Sequence, residues 1–434
     1  MPLSRAPLVP ASLLRRHDCF ITGDTRFRAA ARLQQSLWRQ GQGLPAGLHR
    51  PGGRHDIPAI TLGSLLTLAD AARGANFFSP AVHAYVRRSL VLREEGACVN
   101  VDRLLRNTLS SEPLIRNALV PLALDLDLAT AVFRSLLPTF VDHVTAVRFE
   151  TSPSRDRKDP HWLQCGSAHD AAVEVVTMDG EPATVFIECK YSEGSGPAAT
   201  HRPRYDVVSR ELALHRDPDA KALRSVALEQ LWRLTMLAGL CVRNGLTPQA
   251  HLIMLYPAQN RRVALACRLY AGELLDPTGT DPGTIGFTGL TLEAFVDALA
   301  QAGASSQANY LHRRYLDLTP VLDAVLRHPD STSEGPDGPP APSSPSATPA
   351  PLLLLPPSSP TAIAGIVAAQ PASSDPAPVR PSRPQWARPL RRTRASIPAA
   401  STAPAVSGST GKQSRKPRPA AASSRRSAAA RGGL

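Results

Sequence analysis

The chain has 434 residues with 49 Lys plus Arg against 36 Asp plus Glu, a formal net charge of +13. Its length allows two or three domains, and no apolar run is long enough to cross a bilayer: the leucines of 352–355 are bracketed by Pro351 and Pro356. Six scattered cysteines (Cys19, Cys98, Cys165, Cys189, Cys241, Cys267), with no C-x-x-C pair and no signal-peptide pattern, exclude a disulfide-built secreted scaffold and predict free thiols in a reducing cytoplasm.

Residues 1–23 read as loosely structured. An amphipathic helix begins at Asp24, read as its cap, carries Phe27, Leu33 and Leu37, and runs past Trp38. Gly and Pro interrupt residues 41–53. Short helices are expected near 63–73 and 79–91, then a helical region over 101–136, cut by Pro113 and Pro121 and ended by Pro138. Residues 141–150 are the first strand candidate, and 151–168 a polar loop. Two further strands, from Asp170 and over 183–191, flank a turn at Asp179-Gly180.

A long helix over 220–243 carries Leu223, Val226, Leu231, Leu234, Leu237 and Leu240 and stops at Asn244-Gly245. Residues 251–256 form a buried strand. Asn260 caps a helix to about 274, Thr291 caps another to about 302, and a last helix covers 305–327. Helix, three strands, helix, strand, helix describes an α/β domain with a mixed β-sheet flanked by helices. The chain thus divides into an N-terminal, mainly helical region (1–95), an α/β domain (96–328) and a tail (329–434).

The tail is rich in Pro, Ala, Ser and Arg. Residues 331–434 hold 20 of the 42 Pro and 13 Lys or Arg against 3 Asp or Glu, so the high charge is mostly theirs. Such a composition buries too little apolar surface to offset chain entropy, and disorder is expected. A basic disordered tail suits nucleic acid or other polyanions, and equally a segment with no partner.

The most informative pattern is Glu188-Cys189-Lys190 at the end of an apolar strand. Strand side chains alternate, so Glu188 and Lys190 share a face and Cys189 points away. The chain has only five Lys (Lys158, Lys190, Lys221, Lys412, Lys416), and everything else basic is Arg. Placing Lys in an apolar strand selects a compact ammonium whose pKa can move. Asp170 and Glu188 are expected to bind Mg²⁺, or Mn²⁺, with the Cys189 backbone carbonyl as a third contact. Lys190 would orient or deprotonate the attacking water of a phosphodiester hydrolysis. Glu174, four residues past Asp170, is a candidate for a second metal or for orienting Lys190. Glu112 and Glu150 are candidate outer carboxylates, and Gln230 is expected to reach the edge of the site. His169 either touches phosphate or packs. The bland reading of Glu188 and Lys190 is a cross-strand ion pair.

Hairpin register tests this arrangement. A two-residue Asp179-Gly180 turn would pair Asp170 with Cys189, on the wrong face. A loop of odd length, or a bulge, would instead pair Asp170 with Lys190 and Ala172 with Glu188.

These residues resemble the PD-(D/E)XK nuclease superfamily, whose pattern is an acid at the start of one strand and acid-x-Lys in the next. Within it the chain is similar to a bacterial group described as restriction endonucleases, over roughly residues 22–318. The similarity rests on Asp24, Arg26 and Phe27 with Trp38; on residues 75–79; on Ser110, Ser111 and Asn117; on residues 187–193; on Arg204, Tyr205 and Asp206; on Gln230 to Arg233; on residues 255–261; and on residues 314–317. It departs from the group at Glu112, where a glutamine is expected, and at His169, where an aromatic is expected. The resemblance implies a restriction-endonuclease-like core in residues 96–328 and a metal-dependent DNA endonuclease, with DNA as partner and a homodimer suited to palindromic sites. Rival readings are a repair or phage-defence nuclease acting on ends, flaps or RNA, and a nucleic-acid-binding protein of this fold without turnover.

Overall fold

The computed structural model describes residues 4–329 apart from 51–57, 98, 151, 195–198 and 282. The expected disordered tail therefore lies, from residue 330 onward, outside the described residues, as does Cys98. The N-terminal segment is more ordered than its composition suggests. Helix α1 (Ala11–Arg16) buries Leu13 and Leu14 in the main core together with Ala6, Val9 and Cys19. Helix α2 (Arg26–Gly41) is capped by Thr25, whose side chain accepts from the Arg28 amide at 3.2 Å, and not by Asp24. Asp24 instead pairs with Arg28 at 3.0 Å and Arg32 at 2.7 Å.

The segment expected as a helix over 63–73 opens as the end of a strand and is helical only in its second half. Strand β1 (Ala46–His49) pairs antiparallel with β2 (Ile60–Leu66), and only α3 (Leu68–Ala72) is helical there. Ser79 then caps α4 (Pro80–Val91), and Asn100 caps α5 (Val101–Arg106). Helix α6 (Ser111–Leu124) runs through both prolines expected to cut it. Pro113 lies in the first turn, where no intrahelical N–H is needed. Pro121 removes the amide that would bond the Asn117 carbonyl, and Gln307 supplies the missing donor: its Nε2 reaches Asn117 O at 3.0 Å and Ala118 O at 2.8 Å. Helix α7 (Leu126–Leu136), capped by Asp125, leads into the sheet.

The central sheet has five strands in the order β3 (Val141–Phe149), β4 (Ala171–Thr177), β5 (Pro182–Cys189), β6 (Gln249–Tyr256), β7 (Gly286–Thr291). The first two pairings are antiparallel and the last two parallel, which makes it mixed. One face packs Val173, Val185, Ile187 and Ile253 on α2, α6, α7 and the C-terminal helices. The other packs Ala172, Phe186, Leu252 and Met254 on α8 (Pro203–Leu212), α9 (Glu229–Arg243) and α10 (Arg261–Glu273). An α/β fold with a mixed sheet flanked by helices is thus the observed class.

Other differences are local. The helix expected over 220–243 is a 3-10 turn (Lys221–Arg224) followed by α9, so Val226 lies outside the helix and is 60% exposed. After α11 (Leu292–Gln301), capped by Thr291, the last helix is three pieces: α12 (Ser305–Leu311), a π turn at His312–Leu316, and α13 (Thr319–Leu326), with Pro320 in its first turn. The π turn buries Arg314 and Tyr315. Gln34 Nε2 donates to Asp317 O at 2.5 Å and Gln35 Nε2 to Arg314 O at 2.7 Å, which ties the first long helix to the end of the described chain.

Candidate active site

Thr177 and Glu181 close the hairpin between β4 and β5, with three residues, Met178, Asp179 and Gly180, in its loop. Thr177 N donates to Glu181 O at 2.8 Å, and Gly180 takes φ +83°, the left-handed conformation that closes a three-residue hairpin. The loop is odd, as the site required, but the register lies two residues from the expected one. Ala171 pairs with Ile187 and Ala172 with Phe186, so Asp170, one step further, stands opposite Glu188 and not Lys190. The two carboxylates therefore project from neighbouring strand ends on one face. Pairing of β4 with β5 has stopped there, and the Cys189 amide is satisfied by Asp170 Oδ2 at 2.8 Å.

Glu188 is 5% exposed, and its Oε1 accepts two hydrogen bonds, from Lys190 Nζ at 2.7 Å and from Gln230 Nε2 at 2.6 Å. Gln230 comes from the first turn of α9. Burial and then the Glu188 charge raise the Asp170 carboxyl well above its ordinary pKa, against Lys190 and the Cys189 amide. Burial alone would lower the Lys190 ammonium, but Glu188 and Asp170 outweigh it and hold its pKa up.

These groups open on a cavity of about 350 Å³ that also takes in Glu112, Glu150, Arg103, Arg155 and Arg233. Burial pushes Glu112 up to about 7 against the pull of Arg103, and its Oε2 is buried without a hydrogen-bond partner. Burial also raises Glu150, which Arg116 and Arg155 oppose. The Cys189 side chain points into the core, and Cys165 Sγ lies 2.9 Å from Ser167 Oγ. Trp232 is buried in the core, while Arg233 pairs with Glu229 at 2.9 Å and reaches Ser167 Oγ.

Glu174 does not join this group. Its carboxylate pairs with Arg148 of β3 and is 40% exposed, further along β4 and outside the residues lining the cavity. Its face is right, but four residues of extended strand carry it roughly 13 Å away. His169 is fully packed: it stacks on Phe186 at 4.3 Å and shares a 3.1 Å hydrogen bond with Leu234 O, and burial lowers its pKa to about 4.

Three contributors were not apparent from the residue pattern. Arg103 reaches Ser110 Oγ at 2.7 Å and Glu193 at 3.4 Å. Glu193 folds the chain back after Lys190 by accepting from the amides of Tyr191 at 3.0 Å, Ser192 at 2.8 Å and Ser111 at 2.9 Å. Burial would raise the Glu193 pKa, but the amides of Ser111 and of Glu193 itself, with Lys190 and Arg103, hold it lowered. Arg155 lies 3.5 Å from Glu150 and 3.1 Å from Glu94. All three depend on residues distant in sequence. The sole signal was the run of identities ending at Glu193.

The donor chemistry suits a hard divalent cation. One oxygen each of Asp170 and Glu188 is engaged, which leaves Asp170 Oδ1 and Glu188 Oε2 without hydrogen bonds from the described residues. Among the described residues no three His, Cys, Asp or Glu side chains gather into a ligand cage. Two carboxylates with water and substrate oxygens are a usual Mg²⁺ environment, whereas Zn²⁺ prefers a fuller nitrogen and sulfur set.

A family profile described as the PD-(D/E)XK nuclease superfamily matches residues 22–317. A search of the curated proteins found no match, and a search of the solved structures found none. Among the described residues no helix is long and apolar enough to cross a membrane.

Proposed function

The chain belongs to the PD-(D/E)XK nuclease superfamily, and we propose that it is a metal-dependent endonuclease hydrolysing DNA phosphodiester bonds. Superfamily membership points to a phosphodiesterase acting on nucleic acid with a divalent metal. The observation that carries the reading to this site is the convergence of Lys190 and Gln230 on one oxygen of Glu188, beside Asp170. A surface ion pair needs no glutamine from a separate helix and no cavity ringed by arginines.

Asp170 and Glu188 would hold Mg²⁺ or Mn²⁺ through their remaining oxygens, with the Cys189 carbonyl at the end of the strand as a third donor. A cation bound there supplies Lewis acidity toward a phosphoryl oxygen and acidifies a water. Gln230 fixes the Glu188 carboxylate. Lys190 stands beside the attacking water and offsets the charge that develops on phosphorus oxygens as water adds and the leaving oxygen departs. Arg103, Arg155 and Arg233 at the rim are placed to draw in the phosphate backbone. Glu112 and Glu150 are outer carboxylates at the same cavity, suited to ordering water.

The test is incubation of the full chain with plasmid and single-stranded DNA in Mg²⁺ or Mn²⁺ against EDTA, beside Lys190→Ala. Metal-dependent cutting that disappears in the variant is expected. No cutting of either DNA, together with no metal binding that depends on Asp170 and Glu188, would reduce the cluster to an ion pair.

A further inference from the structure

A second cavity, of about 630 Å³, adjoins the first, and Glu150 lines both. Glu150 has φ +54°, a conformation uncommon for a residue with a side chain, and Arg155 holds it there by donating to its carbonyl and pairing with its carboxylate. The walls of the second cavity are mixed: aliphatic side chains and the carboxylates of Glu94 and Glu150 stand beside two aromatic rings and four arginines. Tyr85 of α4 and Phe149 of β3 meet edge to face at 5.7 Å, and the Arg116 guanidinium lies 4.2 Å from the centre of the Phe149 ring. Leu92 at the rim is 68% exposed. Neither the Tyr85 hydroxyl nor the Arg88 guanidinium, both at this cavity, has a hydrogen-bond partner among the described residues.

We propose that this cavity receives an unpaired nucleobase from the strand whose phosphate lies at Asp170, Glu188 and Lys190, so that the preferred substrate is DNA with an unpaired nucleotide beside the cut. The inference rests on the nuclease reading. The volume falls in the ordinary range for small organic ligands. Aromatic rings and guanidinium planes accept the face of any base without reading its identity, and the Tyr85 hydroxyl and Arg88 guanidinium can meet its edge. A paired base must be pulled from the stack before it enters such a cavity, whereas an unpaired one enters without that cost. Because Glu150 lines both cavities, the base and its phosphate would lie on either side of one residue.

The experiment uses the full chain carrying Lys190→Ala, so that binding is read without cutting. The probes are oligonucleotides containing 2-aminopurine, either in a perfect duplex or unpaired in a bubble. At least tenfold tighter binding of the bubble is expected, with quenching of its fluorescence. Adding Tyr85→Ala, or filling the cavity with Ala146→Trp, should each bring that ratio below threefold. Equal affinity for the two probes, or a ratio that neither substitution moves, overturns the inference. If the wild-type chain cuts duplex DNA while the probes bind equally, this inference alone fails. If nothing is cut or bound, the nuclease reading fails with it.

Discussion

Gln230 Nε2 lies 2.6 Å from Glu188 Oε1, so a helix on one face of the sheet fixes a carboxylate at the end of its central strand. The same oxygen accepts from Lys190. The unoccupied orientations of Glu188 are thereby removed before any substrate arrives.

Replacing Gln230 by Leu should free that carboxylate. Orienting partners of this kind typically contribute about 10–100-fold in metal affinity or activity. We expect a loss in that range in both the calorimetric Mn²⁺ affinity and the cleavage rate, with the unfolding midpoint nearly unchanged. Full activity in Gln230→Leu would remove Gln230 from the site.

Lys190→Arg should be nearly as damaging as Lys190→Ala. The guanidinium is larger and planar, and it keeps its charge in every state. Single-turnover cleavage should fall by roughly two orders of magnitude in both, in line with general acid–base and electrostatic contributions. Retention of activity in the arginine variant would show that only the charge matters.

Gln307→Leu should destabilise the fold without touching the chemistry. It would leave the Asn117 carbonyl, whose helical donor Pro121 removes, unsatisfied inside the core. A buried unpaired acceptor costs about 1–3 kcal/mol. Pro121→Ala restores an amide facing Asn117, so the double variant should recover part of that loss in denaturant unfolding. Simple additivity of the two changes would refute the coupling.

His251 gives a pH prediction. It is buried, shares a 2.8 Å hydrogen bond with Thr288 Oγ1, and burial lowers its pKa from 6.5 to about 4. Between those values the unfolded chain binds the proton and the folded chain does not. The stability contribution is therefore complete above about pH 6.5 and declines as pH falls toward 4. His251→Gln should flatten this acid-side fall in Tm by several degrees, measured by thermal unfolding from pH 7 to pH 4. An unchanged slope would exclude His251 as a contributor.

Much of the sheet was legible because β4 and β5 are short, mostly apolar runs flanking a turn and ending beside acidic residues. Asp170, Glu188, Lys190 and Gln230 could be named from spacing and family resemblance, and the odd hairpin loop followed from requiring the two carboxylates to share a face. The register could not be fixed from the loop alone, since several odd loops satisfy the same parity. β2 was missed because Leu65, Leu66 and Leu68 mimic helical spacing; the strand forms through pairing with β1, a distant segment. β7 was missed because Gly286 and Gly289 read as loop. A side chain at Gly286 would meet His251 Nδ1 at 2.2 Å, so close strand packing requires the glycine. Glu174 was overestimated because face was known but distance along the strand was not weighed. Arg103, Arg155 and Glu193 enter only through tertiary contacts, which no local pattern encodes.

The link between α2 and the π turn sets an order on assembly. Tyr191, the residue after Lys190, presents its hydroxyl to Gln35 at 3.1 Å, and Gln35 in turn holds Arg314 O. The segment bearing Lys190 is thus clamped by a side chain translated earlier and by backbone translated near the end of the described chain. A ribosome-bound polypeptide still lacking residue 314 would have no such clamp, and would be expected to become competent only once that residue has left the exit tunnel.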